Sequence, residues 1–213
     1  MVAVGLVWAG VALAGKPSTK AWYDDDSGTF TSTGTVPVAV SLSRLGVIAG
    51  DFRNYRKWAL RQINQKPKGG KFNVLIRDVY YRPGGSAGHG AFDLIYDVNL
   101  IWPFGSKDNM ATFDIVKVSK RADGGIDRMV CKLGKTNKLL DRFDIDLRAE
   151  GNENESRVVF RNDVKFVSLV NAFFSLKQYK KNIEWRVIKV LDNLRVQLQT
   201  TKSASKKPDS SPL

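Results

Sequence analysis

Few residue types in this chain can do chemistry, and each points away from a reaction centre. The 213 residues include one histidine, His89, and one cysteine, Cys131. Histidine readily exchanges a proton near neutrality. Catalysis also needs a positioned partner beside a nucleophile or electrophile, and none is readable near His89. The surrounding Gly84-Gly85-Ser86-Ala87-Gly88-His89-Gly90 is glycine-rich but lacks the Lys-Ser/Thr ending of a phosphate-binding loop. Strand patterns flank it, so a hairpin loop with a solvated histidine is expected. Cys131 lies in an alternating apolar pattern and reads as a buried thiol. A single cysteine allows no intrachain disulfide, and no Cys/His set has metal-ligand spacing. No catalytic residue, metal or cofactor is therefore expected. Asp93, Asp97, Asp114, Asp144, Asp146 and Asp163 remain as candidates for paired-carboxylate chemistry. Most alternate with apolar residues, which places them on the wet face of a sheet.

The elements that hold these residues emerge from periodicity. Between 72 and 166 the period is two. Phe72, Val74, Ile76 and Tyr80 alternate with Asn73, Arg77 and Tyr81, and Leu94, Tyr96, Val98 and Leu100 with Asp93, Asp97 and Asn99. Phe143, Ile145 and Leu147 alternate with Asp144, Asp146 and Arg148, and Phe160, Val164 and Phe166 with Arg161, Asp163 and Lys165. Strands of this kind form an antiparallel sheet with one dry face. Breaks at Pro83-Gly84-Gly85, 103–109, Asp123-Gly124-Gly125, 135–138 and 151–155 join them by hairpins. With a first short strand over Phe30 to Thr35, about seven strands are expected.

Two helical patterns flank the strands. Leu42, Leu45, Ile48, Ala49, Phe52, Tyr55 and Trp58 have helical spacing, and Gly46 and Gly50 argue for two short helices. Arg53, Arg56, Lys57 and Arg61 among those aromatics suit a membrane interface, a nucleic-acid backbone or a water-facing helix side. The longest apolar run, Ser168 to Leu198, carries Leu169, Phe173, Leu176, Ile183, Val187, Val190, Leu194 and Leu198 on one face. It predicts a single helix with Ser168 as N-cap, a rod of about 45 Å. Such a rod needs an apolar partner surface, and the dry face of the sheet is available. The fold class is α+β.

The length suits one domain. A net charge of +13 points to nucleic acid, an anionic membrane surface or an acidic protein as partner. Val2 to Ala14 is uncharged and shorter than the roughly 20 residues of a membrane span. Ala12-Leu13-Ala14 before Gly15 has the small-x-small pattern of a signal-peptidase site. Residues 1–14 thus read as a cleaved export signal, placing the protein in the periplasm or outside the cell. An uncleaved membrane anchor is the alternative. Residues 15–28 read as a polar lead-in, 29–199 as the domain, and 200–213 as a disordered basic tail.

The order of elements, with short local motifs, resembles the START-like (SRPBCC, helix-grip) lipid-binding family over roughly residues 29–198. Ile101-Trp102-Pro103-Phe104-Gly105-Ser106-Lys107-Asp108 is similar to a segment in which a strand ends in Trp-Pro and continues to a basic–Asp pair. Here Lys107 stands where the family usually has arginine. Asp51-Phe52-Arg53-Asn54-Tyr55-Arg56-Lys57-Trp58 resembles the helix before the sheet. Val159-Phe160-Arg161-Asn162-Asp163, with Val170-Asn171 downstream, resembles the approach to the closing helix.

This resemblance implies a curved sheet gripping a long C-terminal helix around an apolar tunnel. The expected lining is Tyr80, Tyr96, Val98, Phe113, Ile115, Phe143, Ile145, Phe160, Phe166, Phe173 and Trp185. Trp102, Phe104 and Lys107 are expected at its mouth or facing a membrane, with Lys107 meeting anionic headgroups. The function expected is binding, and transfer, of a lipid or other hydrophobic small molecule. A cyclase or hydrolase on the same fold is the alternative, and nucleic-acid binding the weaker third.

Overall fold

The computed structural model describes residues 15–38, 40–65, 73–84, 88–99, 105–152, 154–171 and 174–204. Its strands are β1 (Ser18–Asp24), β2 (Thr29–Val38), β3 (Asn73–Arg82), β4 (Ala91–Asn99), β5 (Ser106–Lys120), β6 (Ile126–Leu133), β7 (Leu140–Gly151) and β8 (Ser156–Phe166). They form one curved, unclosed antiparallel sheet in the order β1-β2-β8-β7-β6-β5-β4-β3. From β3 to β8 it is a meander, as the alternation predicts; β2 then pairs with β8, Phe30 opposite Val164.

There are eight strands rather than about seven. The additional one is β1, which lies in the stretch read as a lead-in. It pairs with β2 from Ser18 opposite Thr35 to Asp24 opposite Thr29. None of its side chains is fully buried. An edge strand held by main-chain hydrogen bonds needs no apolar alternation, so its sequence does not announce it.

β-Bulges change the phase of several strands, and two of them bear on the inner face. In β3 the register slips between Ile76 and Asp78. Val74 and Ile76 point inward before the slip; Val79 and Tyr81 are the partly buried members after it. Tyr80 is thereby turned outward and is 43% exposed. A second slip between Ile115 and Lys117 on β5 passes the inner face from Phe113 and Ile115 to Val118.

The helices are α1 (Leu42–Gly50), α2 (Tyr55–Trp58) after a 3-10 turn at Phe52–Asn54, α3 (Ser168–Asn171), α4 (Leu176–Tyr179) and α5 (Trp185–Ala204). The expected break near Gly50 is present. The closing rod differs from the single helix expected. α3 is one isolated turn, and the N-cap of the rod is Ser175, whose capping box with Gln178 satisfies the first free amides. From Leu176 the rod runs through a π turn at Lys180–Glu184 into α5. Its 29 residues give about 43 Å. The rod includes Thr200 to Ala204, the first part of the expected tail, and the remainder of that tail lies outside the described residues. Among the described residues no helix is long and apolar enough to cross a membrane.

Two apolar clusters dock the rod. One, around Phe30, Val164, Phe166, Phe174 and Tyr179, joins its first turns to β2 and β8. The other, around Val36, Leu45, Trp58, Phe160, Leu191 and Leu194, joins α5 to α1, α2 and the far ends of the same strands. Asn193 donates to the carbonyls of Ala59 (2.9 Å) and Arg61 (2.8 Å), fixing α5 beside α2. β2 crosses under Phe160 at Gly34. A Cβ there would stand 2.6 Å from Phe160 Cε1 and 2.6 Å from the Ser18 carbonyl. Gly34→Ala is expected to cost about 1–3 kcal/mol, read as a lower urea midpoint with unchanged slope.

Candidate functional site

Between the rod and the middle of the sheet the side chains do not meet. A cavity of about 230 Å3 remains. Its floor is Val74, Ile76 and Val79 of β3, Phe92, Leu94 and Tyr96 of β4, Ala111 and Phe113 of β5, Met129 and Cys131 of β6, and Phe143, Ile145 and Leu147 of β7. Ile183, Arg186, Val187, Val190 and Leu191 of the rod form the roof. Tyr55, Ala59, Leu60 and Ile63 close one side, and Leu139 and Leu140 another. The strands fill the sheet's inner face with β-branched and aromatic residues, while the rod is held off by packing at its two ends.

The wall is almost wholly apolar, and its polar-bearing residues turn their polar atoms elsewhere. Tyr55 donates its hydroxyl to the Ala49 carbonyl. Arg186 donates to the carbonyls of Asn182 and of Val74, tying the rod to β3. Burial lowers the Arg186 guanidinium to about 10. Burial likewise raises the Tyr96 phenol and the Cys131 thiol, each to about 12. Since thiolate is the reactive form, Cys131 is expected to resist a disulfide reagent at pH 8 in the folded protein. It should react fully in denaturant; fast labelling of the native protein would show that the wall is open there.

Among the described residues, no carboxylate and no histidine lines this cavity. The aspartates sit on the outer face against arginines: Asp93 with Arg82, Asp97 with Arg77, Asp144 with Arg142, Asp146 with Arg128 and Arg148, Asp163 with Arg161. Arg77 holds the Asp97 carboxyl below the usual carboxylate range, helped by the Asp108 amide. His89 is exposed in its loop, and among the described residues no group of His, Cys, Asp and Glu could hold a metal ion.

Of the residues expected in the tunnel, Tyr96, Phe113, Phe143 and Ile145 line the cavity. Val98 and Ile115 are buried on the same face but behind the wall. Phe166 packs 4.2 Å from Phe174, and Phe160 belongs to the second apolar cluster, so both fill solid core. Tyr80 is excluded by the β3 bulge. Trp185 is half-buried and off the wall, because the π turn adds a residue to the helical count and rotates the residues after it. Phe173, Trp102 and Phe104 lie outside the described residues. Lys107 is exposed on β5, near Asp97.

The side wall from Tyr55 to Ile63 is an addition to the expected lining. Its helical spacing is visible in the sequence, but the cations interleaved with it mark the opposite face more strongly. Leu139 and Leu140 come directly after a turn and carry no alternation to mark them.

The whole arrangement matches known structures. It superposes on the Zhui aromatase/cyclase from a Streptomyces species with a TM-score of 0.54 at 11% identity, over 84% of this chain and 99% of that one. A START superfamily protein from Mycobacterium smegmatis gives 0.51 at 12% identity, over 80% and 98%. The fold is START-like. No family model and no curated protein matches the sequence. At these identities the likeness concerns architecture, and what the START-like domain binds must be argued from its cavity.

Proposed function

We propose that the START-like domain binds a lipid or other hydrophobic small molecule in the inner cavity and carries or senses it outside the cytoplasm. The observation that carries this reading is an apolar hollow under the rod, on whose wall no acid or histidine stands among the described residues. An engineered apolar cavity of about 150 Å3 stays dry and takes benzene, so 230 Å3 accommodates about nine carbon atoms. At roughly 0.8 kcal/mol per buried methylene that is about 7 kcal/mol before the costs of association. A ligand held usefully therefore extends beyond this cavity.

Export rests on the sequence of residues 1–14. Transfer would involve docking on an anionic bilayer, to which exposed cations such as Lys107 each contribute about 1 kcal/mol. The enzyme reading has less support, because acid–base catalysis needs titratable groups converging on the ligand. Nucleic-acid binding wants one continuous basic face, whereas the outer-face arginines stand against carboxylates.

Solvent extraction of the purified protein, with mass spectrometry of the extract, tests the reading. A recurrent hydrophobic molecule is expected. Protein that is always empty and takes up no fluorescent lipid would contradict it.

A further inference from the structure

The concave face of the sheet continues past the inner cavity. Beyond Phe52 lies an open groove of about 740 Å3 between α1, Gly88 and His89, and the β5–β6 hairpin. The two hollows succeed one another along the same strands. β5 gives Phe113 to the inner cavity and Val118 and Lys120 to the groove; β6 gives Met129 and Cys131 to the first and Ile126 to the second. On the helical side Tyr55 borders the cavity and Phe52 the groove.

One aromatic layer divides them. The Phe52 ring stands edge-on to Tyr55 (5.8 Å) and to Phe92 (5.7 Å), both on the inner wall, and 5.4 Å from Tyr81. Phe52 begins the 3-10 turn, directly after Asp51, whose backbone (φ −82°, ψ 63°) is not helical. A turn of three residues between two short helices is a cheap place for a side chain to swing.

The groove differs chemically from the cavity. Phe52, Val118 and Ile126 make it partly apolar, and glycines leave backbone on its surface. Among the described residues its titratable lining groups are Lys120 and His89, and no carboxylate lines it. The neighbouring Arg121 is already paired with Asp123 at 3.0 Å. Lys120 has no ion pair among the described residues, so an anion entering the groove meets an uncompensated ammonium.

The geometry points to the groove as the seat of the ligand's polar end, with Phe52 as the gate through which its apolar end enters the inner cavity. The ligand class is an anionic amphiphile, a carboxylate on a chain or ring system of which about nine carbons are swallowed. This rests on the cavity-binding reading above, and the experiment separates the two.

Decanoate and decan-1-ol are titrated into the full chain by calorimetry, and their binding rates measured by stopped flow. Decanoate is expected to bind roughly five-fold more tightly than the alcohol. Lys120→Glu should erase that preference, while Lys138→Glu, a charge reversal on the β6–β7 loop, should keep it. Phe52→Ala should speed both association and dissociation several-fold; Phe52→Leu, which preserves apolar bulk, should do so less. A preference that survives Lys120→Glu, or is lost equally in Lys138→Glu, overturns the placement of the polar end; unchanged rates in both Phe52 variants overturn the gate. In either case continued binding of decan-1-ol leaves the cavity reading standing. Wild-type protein that binds neither probe overturns both.

Discussion

Tyr179→Ala is expected to lower folding stability by about 4 kcal/mol, near the upper end for a single substitution. Tyr179 is 0% exposed in the first turn of the rod. Its ring stacks on Phe30 with centroids 5.2 Å apart, and Phe30 in turn meets Phe166 and Phe174 edge-on. The hydroxyl accepts from Asn162 Nδ2 at 2.9 Å and shares a hydrogen bond with Ser32 Oγ at 2.8 Å. These two partners face each other on β8 and β2, so one phenol pins the rod across two strands. Burial raises that phenol well above the ordinary tyrosine range, keeping it neutral. Tyr179→Phe keeps the ring but strands Asn162, whose Oδ1 already lacks a partner, and should cost about 1–2 kcal/mol. Urea denaturation of both variants measures this. Losses under about 1 kcal/mol for the alanine variant would mean that the rod is docked elsewhere.

Ala111→Phe is the complementary case, with a large effect on binding and a small one on stability. Ala111 is 2% exposed, points inward from β5 opposite Leu94, and borders the cavity. A phenyl group there occupies space that a ligand would otherwise fill. Affinity for decan-1-ol is expected to fall about 100-fold, while stability shifts by no more than about 1–2 kcal/mol in either direction. If the site were solid, the same substitution would destabilise strongly by overpacking and leave binding at other places untouched. Calorimetry and denaturation on one preparation separate these outcomes.

How far the amino-acid sequence reveals this molecule depends on the kind of signal each element carries. The meander is legible because Leu94, Tyr96 and Val98, and again Phe143, Ile145 and Leu147, alternate with charges that Arg–Asp pairs hold on the outer face. β1 is not, because an edge strand owes its place to main-chain pairing with β2. Tyr80 is misplaced by periodicity because a bulge reverses the phase of alternation without changing the residues that alternate. The rod is legible as an apolar stripe, but its start at Ser175 depends on the Gln178 capping box and its later face on a π turn. Tyr96, Phe113, Phe143 and Ile145 can be assigned to the cavity because they lie midway along inner faces. Phe160 and Phe166 share that face, yet sit where the rod touches the sheet. Whether an inward side chain meets a partner or a void is decided by the rod's contacts at its ends, which periodicity does not record.

The central claim is that the space beneath the rod takes up an apolar molecule. Methyl NMR during a titration with decan-1-ol tests it most directly. Resonances of Ile76, Ile145, Ile183 and Leu191 should shift and saturate together, while those of Val36 and Leu45 in the solid cluster stay in place. Shifts confined to surface methyls such as Val196, with the four inner residues unmoved, would contradict it.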